Sequence, residues 1–372
     1  MPVEAPNIFI TLLAFVTLIG TLVVVHELGH YSVGRFFGVK AEKFSIGFGP
    51  QLFGWTDKRG TLWRVAAFPL GGFVQFAGDM NPASQPDESW LKLPEAERNQ
   101  TFQSKTLWQR ALIVFAGPAV NFVLAVAILS GFLLTYGQSV NPPIVVSVSA
   151  GTAAADIDMK PGDRILSING KSVDTFQQLA TEVSIYPNEQ VVLQIERDGS
   201  TIQKTPTIGE IVEKDRFGNE YKRGMLGLPI PPPVIRNVGV LEAPFVATAE
   251  TYNIVRLTVV TLGQIISGKR SVKDLGGPLK IAKVSGEHFA LGISAFLWLA
   301  AMISINLGFI NLLPIPMLDG GHLLLYGVEA VRKRPATPQV QEWAFRAGFA
   351  MLVGFMLMVT FNDLASFGVF GR

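Results

Sequence analysis

The chain has 372 residues, of which 49% are hydrophobic and 16% are charged. Ordinary soluble domains carry about 25% charged residues, so this composition favours a membrane protein with a substantial soluble part. The net charge of +2 argues against nucleic-acid binding, and the absence of cysteine excludes disulfides, Cys-ligated zinc and cysteine catalysis.

Four apolar segments are long enough to cross a membrane, because a spanning helix needs roughly 20 residues. These segments are residues 8–27, 111–136, 289–313 and 344–364. Lys and Arg are frequent between the first two segments and in the short loop before the fourth. The positive-inside rule therefore predicts that both loops are cytoplasmic and that the long segment after the second span is extracytoplasmic.

The first apolar segment runs directly into His26-Glu27-Leu28-Gly29-His30. Ionisable groups are costly inside a bilayer, so they are candidates for function when they occur there. The H-E-x-x-H spacing places two imidazoles on one helical face, one turn apart, as two zinc ligands need. It also places Glu27 beside them as a candidate general base, toward the cytoplasmic end of the span.

Residues 44–76 follow a different pattern, which predicts a β-hairpin or small sheet with its turn at Asp57-Lys58-Arg59-Gly60. One interpretation is a cytoplasmic hairpin with no active role. The other is a re-entrant sheet that returns to the histidines and offers a strand edge to a substrate. The polar residues 78–105 predict a loop with one short helix near 94–100.

The extracytoplasmic residues 141–230 predict a compact α+β domain. Strands are expected at residues 144–148, 164–168, 191–197 and 202–206, and helices at 152–157 and 176–185. This order, and the run from Met159 to Gly170, resemble a PDZ domain. Met225-Leu226-Gly227-Leu228 lies where a permuted bacterial PDZ would place its carboxylate-binding loop. Such a domain either captures an extracytoplasmic peptide by strand addition or only blocks access sterically.

Residues 231–288 begin with the stiff linker Pro231-Pro232-Pro233, and residues 243–267 predict an amphipathic helix at the membrane surface or against the spans.

A catalytic zinc usually has three protein ligands, and the best candidate for the third is Asp319. It follows the helix-disrupting Pro314 and Pro316 and precedes Gly320-Gly321, where the backbone can approach closely. The alternative is that Asp319 caps a helix at the membrane edge. His322 is expected to pack near the site without being a ligand.

These motifs resemble the site-2 protease family of intramembrane zinc proteases, in its RseP-like bacterial branch. The resemblance is carried by four motifs in family order. They are His26-Glu27-Leu28-Gly29-His30, Phe68-Pro69-Leu70-Gly71-Gly72-Phe73, Ala116-Gly117-Pro118-Ala119-Val120-Asn121, and Asn306-Leu307-Gly308 continuing to Asp319-Gly320-Gly321-His322.

The resemblance implies a Zn²⁺ held by His26, His30 and Asp319, with Glu27 as the catalytic acid and base. It implies that Asn311 contacts the substrate or the reaction intermediate and that the 44–76 sheet helps to unwind the substrate, which makes Gly71 and Gly72 further candidate substrate-binding residues.

The implied fold is a polytopic α-helical membrane protein of about four spans, with a membrane-associated sheet and an inserted α+β PDZ domain. Its parts are a first membrane core (1–140, with the re-entrant region 44–76), the PDZ domain (141–230), the amphipathic helix and linker (231–288) and a second membrane core (289–372). Some relatives carry two tandem PDZ modules, whereas this chain has room for one.

The implied function is hydrolysis of the membrane helices of single-pass proteins, such as an anti-sigma factor or remnant signal peptides, with the PDZ domain gating access. The implied location is the bacterial inner membrane, with the PDZ domain periplasmic and the active site toward the cytoplasm. The alternative is a non-catalytic membrane adaptor whose PDZ domain binds peptides and whose metal site is structural or empty.

Overall fold

A computed structural model describes residues 6–78, 93–214, 220–267, 272, 276–334 and 337–367. The helices are α1 (Ile8–Phe36), α2 (Glu95–Arg98), α3 (Leu107–Tyr136), α4 (Ala153–Asp156), α5 (Phe176–Ser184), α6 (Ala243–Ile266), α7 (Pro278–Ala290), α8 (Ile293–Asn311), α9 (Asp319–Arg332) and α10 (Pro338–Ser366). The strands are β1 (Ala41–Thr56), β2 (Leu62–Phe76), β3 (Gln138–Val140), β4 (Arg164–Ile168), β5 (Lys171–Ser172), β6 (Leu193–Arg197), β7 (Ser200–Lys204), β8 (Gly209–Lys214), β9 (Glu220–Met225) and β10 (Val234–Arg236).

Four of the described helices are long and apolar enough to cross a membrane, namely α1, α3, α8 and α10, which confirms the four predicted candidate spans. Their bounds differ from the apolar segments. Helix α1 continues to Phe36, so the two histidines lie inside a helix and not at its end. Helix α8 ends at Asn311, because Leu312 and Leu313 donate tighter i to i−3 bonds and Pro314 follows.

Two described helices were not predicted from the sequence, α7 and α9. Helix α7 begins at Pro278, although proline breaks helix interiors and no helix was predicted between residues 267 and 289. Proline is also favoured at the first helical position, because its missing N–H has no partner to lose there. Helix α9 begins at Asp319 and occupies 14 residues of the expected loop before the fourth span.

The chain divides into two compact units, and the first comprises the described residues up to Ser130 and from Pro244 onward. Its helical core lies where α1 packs against α8, through the buried Leu18 and Leu22 of α1 and Phe296 and Leu299 of α8. Helix α7 lies against α1, with Gly286 directly on Thr11.

Strands β1 and β2 form an antiparallel sheet in the same unit, in the region predicted as a hairpin. Both strands bend, since residues 43–46 of β1 pair with residues 62–65 of β2 on one side and with residues 72–75 on the other. The turn is closed by the Asp57 side chain, which accepts hydrogen bonds from the backbone N–H groups of Arg59 and Thr61. Buried Phe44, Val74 and Phe76 form part of its core.

The second unit comprises residues 131–243 and contains the range predicted as a PDZ domain. Its largest sheet has the antiparallel order β5-β4-β6-β7, and buried Ile165, Ile168, Leu193 and Ile195 lie in its core. Helix α5 covers the same core and begins at a capping box formed by Thr175 and Gln178. Strands β8 and β9 pair as a separate hairpin.

The predicted strand at residues 144–148 was wrong. Only Ile144 forms a β-bridge there, with Arg164. Pro142 and Pro143 precede it and have no N–H to donate to a ladder. Half of the predicted loop at residues 78–105, namely residues 79–92, lies outside the described residues.

Candidate metal centre

Three potential metal ligands converge on one point in the first unit. Nε2 of His26 lies 3.2 Å from Nε2 of His30 and 3.1 Å from Oδ2 of Asp319, and Nε2 of His30 lies 3.5 Å from Oδ1 of Asp319. The two histidines are one turn apart on α1, and Asp319 is the first residue of α9. Residues 289 positions apart in the sequence therefore form a single cluster.

The cluster has dimensions that suit zinc. Zinc binds imidazole nitrogen and carboxylate oxygen at about 2.0–2.2 Å in a tetrahedral array, which separates neighbouring ligand atoms by roughly 3.3–3.5 Å. The observed separations of 3.1–3.5 Å are close to that range. Oδ2 of Asp319 is also buried, and apart from its 3.1 Å contact with Nε2 of His26 it has no hydrogen-bond partner among the described residues, as expected for an oxygen that ligates a cation.

Helix α3 contacts both imidazoles at Nδ1, the ring nitrogen that does not face the other ligands. Nδ1 of His30 lies 2.9 Å from the carbonyl oxygen of Ile113, and Nδ1 of His26 lies 3.1 Å from the side-chain amide of Asn121. Partners of this kind fix the ring orientation of metal-ligating histidines.

Gly117 allows α3 to approach the histidines. A Cβ at this position would overlap the ring of His30 and lie 2.9 Å from Cε1 of His26. Proline at 118 in α3 is the neighbouring residue of the same motif. The Gly-Pro sequence thus lies where the two imidazoles face α3.

The backbone turns sharply before Asp319. Met317 has φ 82°, an unusual value for a residue with a side chain. Gly320 packs on the carbonyl groups of Leu312 and Leu313, and Gly321 packs on Ile315. The two glycines therefore let the start of α9 return onto the end of α8, which brings Asp319 to the histidines.

A cavity of about 540 Å³ adjoins the cluster. It is lined by His26, Glu27, His30 and Asp319, and also by the three residues predicted to bind substrate, Asn311, Gly71 and Gly72. His322 lines it as well, with its ring 5.2 Å from that of Phe345. At Gly72 a Cβ would lie 2.9 Å from Val23 and 3.4 Å from Glu27, so the absence of a side chain lets β2 touch α1.

One feature near the site had no sequence signal. Arg110 of α3 forms an ion pair with Glu329 of α9, with Nη2 to Oε1 at 2.8 Å, and its guanidinium lies 5.0 Å from the ring centre of Tyr326. These residues are 219 positions apart, and no motif connects them.

The profile of Peptidase family M50 matches residues 14–355 of the chain. Atu1380 of Agrobacterium fabrum, provisionally named a zinc metalloprotease, is 42% identical over 359 residues, which are 95% of each chain. Metalloprotease MmpA of Caulobacter vibrioides is 38% identical over 385 residues, with 97% of each chain covered.

Among solved structures, the PDZ domain of the SdrC-like protein Lmo2051 from Listeria monocytogenes matches with 19% identity and a TM-score of 0.20. The match covers 25% of this chain and 90% of that chain. A score this low carries no weight for the fold of the second unit, so its assignment as a PDZ domain stays a prediction.

Proposed function

The chain belongs to Peptidase family M50 and is a zinc metalloprotease, and from that premise we propose that it hydrolyses peptide bonds within the membrane-spanning helices of single-pass proteins. One observation carries the proposal. His26, Glu27 and His30 lie inside α1, a helix apolar enough to cross a membrane, and Asp319 meets them there. A hydrolytic centre at this place suits a substrate that is itself in the bilayer.

In this proposal His26, His30 and Asp319 hold the zinc, and Glu27 is the catalytic acid and base. When bound, zinc lowers the pKa of a water molecule to about 7 and polarises the scissile carbonyl. The Glu27 carboxylate accepts the proton of the attacking water and then donates it to the leaving amine. The side-chain amide of Asn311, which lines the same cavity, donates a hydrogen bond to the carbonyl oxygen of the substrate.

A substrate helix hides its carbonyl groups in its own hydrogen bonds and must unwind before it is cut. We assign this role to the cavity-facing part of β2 around Gly71 and Gly72. Gly72 and Phe73 pair with β1 on one side, and no strand among the described residues pairs with their other edge. That edge can replace the lost bonds by strand addition.

The test is cleavage of a model membrane helix by purified protein in detergent, with zinc content measured on the same samples. We expect Glu27→Gln to keep zinc and lose cleavage, because it retains the ligands and removes the base. We expect His26→Ala to lose both. Normal turnover by zinc-loaded Glu27→Gln would contradict the role of Glu27. A wild-type protein that binds zinc but cleaves no helix would favour a non-catalytic adaptor.

We further propose that the substrates are anti-sigma factors or remnant signal peptides, and that residues 141–230 act as a PDZ domain that gates their access. A domain that excludes bulk predicts that its deletion permits cleavage of substrates with intact extracytoplasmic domains. Cleavage of a substrate without such a domain serves as the control for an intact catalytic centre. Unchanged selectivity in the deletion variant would refute the gate.

A further inference from the structure

The side chain of Asn121 is completely buried beside the three candidate metal ligands. Its amide lies 3.1 Å from Nδ1 of His26, with Nδ2 facing the ring. Its other atom, Oδ1, is buried and has no hydrogen-bond partner among the described residues. A 180° rotation of the side-chain amide exchanges Oδ1 and Nδ2 without moving any other group. Because Oδ1 makes no hydrogen bond, this rotation breaks none at that atom.

The chemistry of the imidazole decides which amide atom faces His26. Nε2 of His26 points to the place where the three ligands converge, so it must offer a lone pair and carry no proton. A neutral imidazole then carries its proton on Nδ1, which becomes a donor. An amide nitrogen cannot accept that bond, whereas the amide oxygen can.

His30 provides an internal comparison. Its Nδ1 faces the carbonyl oxygen of Ile113 at 2.9 Å, and a carbonyl can only accept. The proton of His30 is therefore fixed on Nδ1, and Nε2 is left free for the metal. Helix α3 provides this acceptor from its backbone for His30, and Asn121 occupies the equivalent place for His26 with a side chain.

We propose that Asn121 is a positioning residue whose Oδ1 accepts a hydrogen bond from Nδ1–H of His26 and so keeps Nε2 available to zinc. This inference rests on the proposed metal centre. The proposed role of the Asn121 side chain is separate from the contact between α3 and α8, because that contact uses the backbone carbonyl of Asn121. The hydroxyl of Ser304 donates to the carbonyl oxygen of Asn121 at 2.8 Å, and a side-chain substitution leaves this acceptor in place.

The test compares zinc affinities of the full chain in detergent, measured by competition with a chelator, and the visible spectra of Co²⁺-substituted samples. Asn121→Leu has similar size and no acceptor, and we expect it to bind zinc about 10–100-fold more weakly, the usual cost of losing such a partner. Asn121→Asp keeps an acceptor and should retain the affinity and Co²⁺ spectrum of the wild type. Asn121→Ala replaces the Leu variant if the latter does not fold.

Two further variants separate the possible outcomes. Ser304→Ala removes the neighbouring interhelical bond and should leave zinc affinity unchanged. His26→Ala should lose zinc, and wild-type affinity in this variant would overturn the metal centre and the inference with it. If His26→Ala loses zinc but Asn121→Leu binds it like the wild type, or if Asn121→Asp is as weak as Asn121→Leu, only the role of Asn121 is refuted.

Discussion

The approach of α1 and α3 depends on single residues that lack side chains. A Cβ at Gly29 would lie 2.5 Å from the carbonyl oxygen of Ala116, and one at Gly117 would overlap the His30 ring. Such contacts involve backbone or tightly held rings, which cannot move aside cheaply. Glycine at these two positions therefore sets the depth at which the imidazoles lie against α3.

We predict that Gly117→Ala displaces the imidazoles and lowers both zinc affinity and kcat/KM by at least about 10-fold, since metal sites tolerate misplacement poorly. Gly131→Ala is the matched control, because it lies in the same helix and an added Cβ there meets nothing within 4 Å. Chelator competition and cleavage of a model helix measure the two effects. Equal behaviour of the two variants would show that the close approach is unimportant.

At the residue scale, the sequence could predict which residues form the site. It could not predict which neighbouring residues hold them in place. The spacing of His26 and His30 is local, and Asp319 stands out as a carboxylate in an apolar setting. The structure brings these three together. The contact between Asn121 and His26 joins residues 95 positions apart, and a buried amide in a span indicates only that it has some partner. Its particular partner depends on the packing of α1 on α3.

At the scale of elements, α9 is held at both ends. Asp319 at its start meets the histidines, and Glu329 in its last turn pairs with Arg110 of α3. The ten residue steps from Asp319 to Glu329 span about 15 Å of helix. The ion pair is largely shielded, with the side chains of Arg110 and Glu329 15% and 20% exposed. It therefore fixes the direction in which α9 presents Asp319.

We predict that Glu329→Ala weakens zinc binding about 10-fold and lowers the free energy of unfolding by about 2 kcal/mol, because it leaves a poorly solvated guanidinium without its charge-assisted bond. The control is Glu342→Ala. Glu342 pairs with Arg346 four residues later in α10, where both side chains are more than half exposed, and such pairs contribute less than about 1 kcal/mol. An unchanged zinc affinity in Glu329→Ala would mean that α9 is positioned by other contacts.

Elements with strong local patterns could be predicted, and those fixed by tertiary contacts could not. The Asn169-Gly170 turn follows from the preference of both residues for positive φ, and both adopt it. The short α7 has no comparable pattern. Its first turn is completed by Asp363 of α10, which accepts hydrogen bonds from the backbone N–H groups of Gly277 and Lys280. A cap supplied from a residue more than 80 positions away is invisible in the local sequence.

In the second unit, an ion pair fixes the turn before β4. Asp163 is buried and accepts bonds from Nε and Nη2 of Arg197 and from the backbone N–H of Lys160. Burial alone would raise the pKa of Asp163, but the hydrogen bonds and charge of Arg197 outweigh it and hold the pKa below its usual value. Ionised Asp163 therefore stabilises the fold.

We predict that Asp163→Asn destabilises the second unit at pH 7 and that the difference from wild type disappears in acid. The sign follows from the lowered pKa. The stabilisation is complete above the pKa of Asp163 in the unfolded chain, about 4, and is lost as the pH falls through the still lower folded value. Hydrogen exchange of residues 131–243 in the full chain, with both proteins compared at each pH, measures it. A difference that does not shrink as the pH falls below about 4 would contradict the assignment.

At the scale of the whole molecule, the four apolar spans could be predicted because each is a long run that depends on no partner. Their helices extend beyond the apolar cores, since helix bounds are set by caps and packing as well as by hydropathy. The Asn7 side chain, for example, accepts the Ile10 N–H at the start of α1. The direction in which the spans cross the bilayer is predicted from a different property, the unequal distribution of Lys and Arg among the loops that connect the spans.

The orientation prediction can be tested directly because the chain has no cysteine. The exposed Lys58 lies in the basic segment before α3, and the exposed Ser200 lies in the second unit. With the basic segment in the cytoplasm and a single span, α3, between the two positions, they must face opposite sides of the membrane. A membrane-impermeant maleimide added to spheroplasts should therefore label Ser200→Cys and not Lys58→Cys, and both should react once the membrane is permeabilised. The wild type should stay unlabelled, and labelling of Lys58→Cys alone in sealed cells would invert the proposed topology and place the basic segment outside.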